Sequence, residues 1–290
     1  MDKNKLYPLR YAMGALIIYS VLFVIPGFIG IGYAFTDWSA YSSELNFVWF
    51  DNFKVIFSAD ENYLKIIANT LKFTVVTTLA KNILGLILAL LLVKGVKALN
   101  FHRGIMFMPS IISTLIIGMI FTSILNPSTG LLNSFFNMVG LDFLAQQWLT
   151  SLEWAFPSVM AVDIWKGTGY IMTILTAGIL SIPADYFEAA DIDGANAIQR
   201  FRYITLPLLL PVLTTTTLLN VIYGLKVFDI VYALTNGGPG KATTEVLYTI
   251  VFKNFGYGFY AVSTALSSVM FLFMLIVGYF IIRVMQREVD

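Results

Sequence analysis

Six long runs of apolar residues constrain the fold of this chain more than any other feature of its sequence. They lie at about 11–35, 71–93, 104–125, 155–180, 207–232 and 259–283. A helix needs roughly 20 apolar residues to cross the hydrocarbon core of a bilayer. Only 12% of the 290 residues are charged, which is about half the share in an ordinary soluble domain. The sequence therefore predicts an all-α membrane protein in which 1–290 forms a single transmembrane domain with six transmembrane helices.

The basic residues near the ends of these spans predict the orientation of the chain. If the N-terminus is inside, the inner segments hold Lys3, Lys5, Arg10, Lys94, Lys97, Arg103, Arg200, Arg202, Arg283 and Arg287. The outer segments then hold only Lys54, Lys65, Lys72, Lys241 and Lys253. Since cytoplasmic loops carry the excess of Lys and Arg, we expect both termini in the cytoplasm. The first run is too long for a cleaved signal peptide, and we expect it to be retained as a span.

The composition excludes several kinds of functional site. The chain has no cysteine, which removes disulfides, thiol catalysis and cysteine-bound metals. Its one histidine, His102, has no second ligand nearby in the sequence, so a solvated side chain is expected there rather than a metal site. The net charge of +1 indicates no basic surface for nucleic acid. We therefore expect no metal, no cofactor and no catalytic residue in this chain.

The polar segment between the fourth and fifth runs carries the signals of a short helix. Ser181 can cap a helix, Pro183 suits a first turn, and Glu188 favours the positive end of the helix dipole. Gly194 suits the end of such a helix. The helix could lie on the bilayer surface or dock into a groove of another protein. Surface helices are usually rich in Lys and Arg, whereas this one is acidic, which favours docking.

The same segment carries a family signature. The stretch "EAADIDGANAIQRFRYITLPLLLP" resembles the EAA signature of permease subunits of binding-protein-dependent ABC importers. The matching residues are Glu188, Ala189, Ala190, Gly194, Ile204, Leu206 and Pro207. Downstream, "KVFDIVYALTNGGPGKATTEVLY" resembles a stretch of the carbohydrate-uptake branch, which includes the maltose and glycerol-3-phosphate permeases. The matching residues there are Phe228, Asp229, Thr235, Gly237, Gly238 and Pro239.

This resemblance implies a type I ABC importer permease fold and a place in a larger assembly. One chain would line half of the translocation pathway for a sugar, either an oligosaccharide or a sugar derivative, and would work by alternating access. Its partners would be a second permease subunit, a cytoplasmic ATPase dimer and an extracellular or periplasmic solute-binding protein. ATP and Mg would bind to the partner ATPase, and the assembly would lie in the cell membrane of a prokaryote.

The resemblance also implies roles for the two signature segments. The loop 181–206 would be cytoplasmic and would contain a coupling helix that docks on the ATPase. The ATPase-coupling residues would be Tyr186, Phe187, Glu188, Ala189, Ala190, Asp191, Gly194 and Pro207. Glu188 would pair with a basic residue of the ATPase, and Gly194 would end the helix where a side chain would obstruct the turn. The docking surface for the binding protein would comprise Thr235, Gly237, Gly238 and Pro239.

The segment "GGPGKAT" is not expected to bind ATP. A phosphate-binding loop needs Gly six residues before its Lys, and Ser or Thr directly after it. Here those two positions hold Thr235 and Ala242. ATP hydrolysis is therefore expected in a separate chain.

Polar residues within the apolar runs are the candidates for the cargo pathway, because polar groups deep in a bilayer are costly and usually functional. These candidates are Asn82, Asp163, Lys166, Asn220, Tyr223 and Lys226. If 207–232 is one helix, Asn220, Tyr223 and Lys226 follow one another at helical spacing. Amide and phenol groups suit the hydroxyls of a sugar.

A structural interpretation of the charged candidates stays open. Lys81 could pair with Asp163, and Lys226 with Asp229, as charges that face the bundle and stabilise it. Alternatively, a cation such as Lys166 could mark an anionic cargo. The sequence does not decide between these alternatives.

Two other functional classes fit the sequence less well. A self-contained secondary transporter would need internal repeats and broken helices around a midplane site, and no clear repeat relates the two halves of the sequence. It would also leave the signature in 181–206 unexplained. A membrane-embedded enzyme would need an acid, a base or a metal set near one face. One histidine, no cysteine and scattered carboxylates do not supply such a set.

Overall fold

The computed structural model of the chain describes residues 10–58, 62–93, 98–240 and 242–286. Within these ranges the regular structure is helical, and β pairing is confined to a single bridge between Thr36 and Phe47. Several of the basic residues that predict the orientation lie outside the described residues, namely Lys3, Lys5, Lys94, Lys97, Lys241 and Arg287.

The helices are numbered here in chain order. Helix α1 joins Arg10–Tyr19 to Ile25–Tyr33 through a π-helical turn at Ser20–Val24. The next helices are α2 (Asp51–Phe57), α3 (Tyr63–Val93), α4 (Leu99–Ile111), α5 (Thr114–Ile124), α6 (Leu131–Met138), α7 (Ala155–Leu180) and α8 (Ala184–Ile192). Helix α9 joins Ala197–Arg200 to Leu206–Leu225 through a π-helical turn at Phe201–Thr205. The last are α10 (Asp229–Thr235), α11 (Leu247–Gly256) and α12 (Tyr260–Gln286).

Four helices of the described residues are long and apolar enough to cross a membrane: α1, α3, α9 and α12. Two further candidates are bent pairs, in which α5 lies at 92° to α4, and α8 lies at 68° to α7. The chain has up to six spans if each bent pair counts as one. The predicted all-α membrane class is therefore confirmed.

The predicted span 104–125 is bent in its middle. Helix α4 ends at Ile111 and α5 begins at Thr114, and the two residues between them have ψ angles of 137° and 134°. These extended residues interrupt the helical hydrogen bonds. Pro109 lies inside α4 and has no N–H with which to continue them. Apolar composition does not record the bend, because Ile112 and Ser113 lie within a continuous predicted span.

The predicted span 207–232 ends earlier than expected. Helix α9 stops at Leu225, and α10 begins only at Asp229. Lys226 caps the end of the helix, and its N–H still donates to the carbonyl of Ile222 at 3.2 Å, so the predicted helical spacing reaches Lys226 and ends there.

The start of α9 is irregular. Its π-helical turn at Phe201–Thr205 is followed by Pro207 in the first turn of regular helix and by Pro211 inside it. Neither proline can donate a backbone hydrogen bond to the preceding turn. The first turns of α9 therefore have fewer backbone hydrogen bonds than the rest of the helix.

The chain forms two compact units. One comprises the described residues up to Tyr63 together with Ile250–Leu272, and the other comprises Leu64–Thr249 together with the described residues from Phe273 onward. All of the described candidate site residues belong to the second unit.

Helix α7 is the centre of the second unit. Fourteen of its 26 residues are buried, and it packs against α4, α9 and α10. Phe156 belongs to a cluster with Ile230 of α10, and the other end of the helix packs on Leu209 of α9. At Gly169 the contact with α4 is so close that a Cβ would lie 1.8 Å from the carbonyl oxygen of Met106. Only glycine allows this crossing.

The first unit is organised by aromatic contacts and one polar turn. The ring of Trp38 stacks on Tyr33 at a centroid distance of 4.3 Å and packs on Tyr260 at 4.7 Å. Nearby, the Asp37 carboxylate accepts hydrogen bonds from the backbone and the side-chain amide of Asn46, at 2.7 and 3.1 Å. These bonds favour the ionised form and lower the pKa of Asp37 below its ordinary value.

Candidate functional site

A buried ion pair joins three helices of the second unit. The ammonium of Lys81 on α3 lies 2.6 Å from Oδ2 of Asp163 on α7, and the two side chains are only 3% and 1% exposed. Tyr223 of α9 donates its hydroxyl to Oδ1 of the same carboxylate at 2.8 Å. The ammonium also lies 4.5 Å from the centroid of the Tyr223 ring. Both carboxylate oxygens therefore have a partner, and the two charges compensate each other within the bundle.

A pair of amides lies beside this ion pair along α3 and α9. Asn82 donates to the hydroxyl of Thr217 at 3.2 Å, and its oxygen accepts a long contact of 3.5 Å from the amide of Asn220. Thr214 instead donates to a carbonyl of its own helix, so it offers no hydroxyl proton to this group. The structure thus brings together the predicted residues Asn82, Asp163, Asn220 and Tyr223.

The other two predicted pathway residues are not bonded to this group. Lys166 lies one turn after Asp163 and is half-buried, and its carbonyl accepts a hydrogen bond from Ser110 of α4 at 2.7 Å. Lys226 is exposed beyond the end of α9. In the described part of the chain, neither lysine forms an ion pair, so the alternative pairing of Lys226 with Asp229 is wrong.

The start of α8 differs from its predicted form. Pro183 occupies the capping position with a ψ of 138°, and no side chain caps the helix. The hydroxyl of Ser181 donates instead to the carbonyl of Gly178 at 2.7 Å. Ser181 therefore satisfies the end of α7, and the prediction that it caps the next helix is wrong.

The end of α8 is a Schellman motif built on Gly194. The N–H of Gly194 donates to the carbonyl of Asp191 at 3.1 Å, and that of Ala195 donates to Ala190 at 2.9 Å. Gly194 has a φ of +70°, and a Cβ added to it would meet no atom within 4 Å. Glycine is therefore required here by the left-handed backbone, and the expected obstruction of the turn by a side chain is wrong.

Most of the predicted coupling residues lie at the surface. Those exposed are Tyr186, Glu188, Ala189, Asp191, Gly194 and Pro207. Phe187 is half-buried and Ala190 is buried. Asp191 forms an ion pair with Arg200 at the start of α9, whereas Glu188 forms none within the described residues. Glu188 is therefore the carboxylate of this group that is best placed for a partner.

Sequence reasoning missed three residues of the same surface. Ile192 and Ile198 are 87% and 77% exposed, which is unusual for isoleucine in a polar loop. Asn196 begins α9 with a capping box. Its side-chain oxygen accepts hydrogen bonds from the backbone N–H groups of Ile198 and Gln199, and the side-chain oxygen of Gln199 accepts the backbone N–H of Asn196. An Asn followed three residues later by Gln is a readable signal of that cap.

The predicted docking residues for a binding protein form a tight loop. Gly238 donates its N–H to the carbonyl of Thr235 at 2.9 Å, and Gly237 has a φ of +83°. The hydroxyl of Thr244 donates to the carbonyl of Gly238 at 2.7 Å and lies 2.7 Å from the hydroxyl of Thr235. The peptide bond before Pro239 is cis. The structure thus places all four predicted residues in one tight turn, in which Gly237 is buried and Thr235, Gly238 and Pro239 are half-buried.

A pocket of about 430 Å³ lies beside this loop. Its lining includes Thr235, Gly238 and Pro239 of the loop and Asn126 and Pro127 from the end of α5. The backbone after the loop is held by Asn69 of α3, a residue that no motif in the sequence indicates.

The chain is similar to known sugar-transport permeases. Residues 81–290 match the model of the family described as "Binding-protein-dependent transport system inner membrane component". The chain is 35% identical to the trehalose/maltose transport system permease protein MalF of Thermococcus litoralis, over 95% of each chain. It is 30% identical to the multiple sugar-binding transport system permease protein MsmF of Streptococcus mutans, over 98% of this chain and 97% of that one.

Solved structures share the fold. A chain of a bacterial ABC transporter that imports the acidic polysaccharide alginate aligns with a TM-score of 0.84 and 26% identity, over 100% of this chain and 99% of that one. The same values of TM-score and identity are found for an alginate transporter in complex with its alginate pentasaccharide-bound periplasmic protein, over 98% of that chain.

Proposed function

The chain belongs to the family of binding-protein-dependent transport system inner membrane components, and we infer that it is the permease subunit of an ATP-driven sugar importer. The named relatives transport trehalose and maltose or multiple sugars, and the solved transporter imports alginate. One observation carries the proposal beyond the family: α8 is exposed, lies at 68° to the apolar helix before it, and carries the matching signature.

Helix α8 is the proposed contact with a separate ATPase. Its exposed Glu188 and Tyr186, together with Ile192, offer one carboxylate and two apolar groups to a groove. The ion pair between Asp191 and Arg200 joins α8 to α9, and a short turn joins it to α7. A movement imposed on α8 is therefore passed to both neighbouring helices, which is what alternating access requires of a coupling helix.

The group around the ion pair is the proposed wall of the sugar pathway. Asn82 and Asn220 supply amides that can donate to and accept from sugar hydroxyls, and Asp163 fixes the orientation of the Tyr223 hydroxyl. Lys81 and Asp163 neutralise each other's charge, so neither is available for an anionic cargo. The lysine proposed to bind an anionic group of the cargo is therefore Lys166, and Lys226 is a second, more exposed candidate.

The remaining parts of the assembly follow the family. The loop with Thr235, Gly237, Gly238 and Pro239 is the proposed docking surface for a solute-binding protein, and the alginate transporter was solved with such a protein bound. The proposed partners are a second permease subunit and a cytoplasmic ATPase dimer that binds ATP and Mg. The proposed location is the inner or plasma membrane of a prokaryote, with both termini in the cytoplasm.

The test is the ATPase activity of the purified assembly. The chain is co-expressed with the neighbouring permease and ATPase genes, and ATP hydrolysis is measured with and without the solute-binding protein. The change Glu188→Ala with Gly194→Asp should abolish the stimulated activity or the retention of the ATPase. It removes the exposed carboxylate and places a side chain where φ is +70°.

A matched control is Glu153→Ala with Gly140→Asp. Glu153 is also an exposed glutamate, and Gly140 also has a positive φ, +74°, with open space around it. This control should retain the ATPase. If the variant at Glu188 and Gly194 behaves like the control, α8 is only a surface helix, and a self-contained secondary transporter becomes the better interpretation.

A further inference from the structure

Asn69 on α3 makes an unusual set of hydrogen bonds to the segment that follows the proposed docking loop. Its side-chain amide donates to the carbonyls of Ala242 and Glu245 at 2.9 and 3.0 Å, and more weakly to that of Thr243 at 3.4 Å. A single amide thus gathers three carbonyl groups that are remote from it in the sequence. Carbonyl groups that converge in this way repel one another unless a donor lies between them.

Two further contacts extend this attachment. The next residue on α3, Thr70, is only 1% exposed, and its hydroxyl accepts the N–H of Leu247 at 2.9 Å. Between the two attached points, the hydroxyl of Thr244 donates to the carbonyl of Gly238. The segment held by α3 is therefore bonded to Gly238 of the loop through Thr244, which lies between the attached residues.

We propose that Asn69 is a positioning residue that fixes the loop residues 235–240 and 242–246 in the shape that a solute-binding protein recognises. The proposal rests on the proposed docking function of that loop. Asn69 lies on a helix of 31 residues, which is stiffer than any loop, so the amide ties the docking surface to a rigid element. The same helix carries Lys81 and Asn82, so the loop and the proposed pathway share one support.

Asn69→Asp is the most informative change. It keeps the size of the side chain and replaces the two N–H donors with a carboxylate, which faces three carbonyl oxygens and repels them. Asn69→Gln keeps the donors on a stem that is one methylene longer. The control is Asn62→Asp, which adds the same charge at an exposed residue directly before the same helix.

The assay separates recognition from turnover. ATP hydrolysis by the complete assembly is measured against the concentration of the solute-binding protein, loaded with whichever of maltose, trehalose or alginate oligosaccharide it binds most tightly. Asn69→Asp should raise the half-maximal concentration by about tenfold, as expected for the loss of one or two net hydrogen bonds, while the maximal rate falls by less than about twofold. Asn69→Gln should stay within about threefold of the wild type, and Asn62→Asp should not change the half-maximal concentration.

Each outcome is decisive. An unchanged half-maximal concentration in Asn69→Asp overturns the proposal, and so does a loss of maximal rate alone, because that is the mark of a merely structural residue. If Asn69→Asp does not assemble, two other variants test the proposal. Asn69→Gln must keep a half-maximal concentration of solute-binding protein close to that of the wild type, whereas Asn69→Ala must raise it. A wild-type assembly that is not stimulated at all refutes the proposed docking function of the loop instead.

Discussion

Replacing Lys81 with Met tests whether the buried ion pair stabilises the helix bundle. The methionine keeps most of the volume of the lysine stem and removes its ammonium. Asp163 then stays buried, with 1% of its side chain exposed, and is bound only by the hydroxyl of Tyr223. Because the remaining carboxylate has lost its counter-charge, the variant should be less stable than the wild type.

The geometry gives the size of this effect. At 2.6 Å and an effective dielectric constant of about 20, two unit charges attract each other by about 6 kcal/mol. Part of this offsets the cost of taking both ions out of water, and removing one partner of a buried pair costs about 3–5 kcal/mol. Adding Asp163→Asn removes the stranded charge and keeps an acceptor for Tyr223. The double variant should then retain a deficit of about 1–3 kcal/mol, the cost of an unsatisfied amide.

Thermal unfolding of the purified assembly in lipid nanodiscs measures both variants. For chains of about 150–250 residues, 1 kcal/mol corresponds to roughly 2–4 °C in Tm. Lys81→Met should therefore lower the Tm by about 6–20 °C, and the double variant should recover about half of the loss. A single variant within about 2 °C of the wild type, or a double variant as unstable as the single one, would refute the ion-pair reasoning.

Two further predictions follow from the close helix contact and from the unpaired lysine. Gly169→Ala should destabilise the assembly by about 3 kcal/mol, because its Cβ would collide with the Met106 carbonyl. The control Gly14→Ala, whose Cβ would meet no atom within 4 Å, should stay within about 1 kcal/mol of the wild type. Equal shifts in Tm for the two variants would contradict the close contact between α4 and α7. Lys166→Met should reduce the uptake of an acidic sugar by about tenfold, the scale of one poorly screened charge contact, and the uptake of a neutral sugar far less. Equal losses for the two sugars in a liposome assay would remove the charge argument.

The all-α membrane class was predictable from the sequence because it depends on the length of apolar runs. The bend after Ile111 was not, since it depends on the conformation of two residues within an apolar run. The end of α9 at Leu225 is a similar case: Lys226 and Asp229 interrupt an otherwise apolar run, and residue type alone does not show that the backbone turns between them.

The candidate site was predictable in its residues, and the sequence offered one of its contacts, the pairing of Lys81 with Asp163, as one of two open alternatives. The polarity of Asp163 and Tyr223 marks them, yet their bond depends on the rotation of two helices, which no spacing within either helix determines. Gly194 was correctly predicted to end a helix, but the predicted reason, crowding by a side chain, was wrong. Both crowding and a left-handed backbone favour glycine, so the residue type alone does not distinguish them. Asn69 was missed altogether, since its partners are backbone carbonyls and leave no trace in residue type.

The irregular base of α9 has a mechanical consequence. A π-helical turn and two prolines, Pro207 and Pro211, leave the first turns of this helix with missing hydrogen bonds, so this part is compliant in bending. Helix α7 runs from its first turn to Leu180 without an internal break, and is stiff. A displacement of α8 should therefore move Asp163 of α7 by nearly the same distance, because the stiff helix between them does not bend. The same displacement should move Asn220 of α9 by less, because the irregular first turns of α9 bend and absorb part of it.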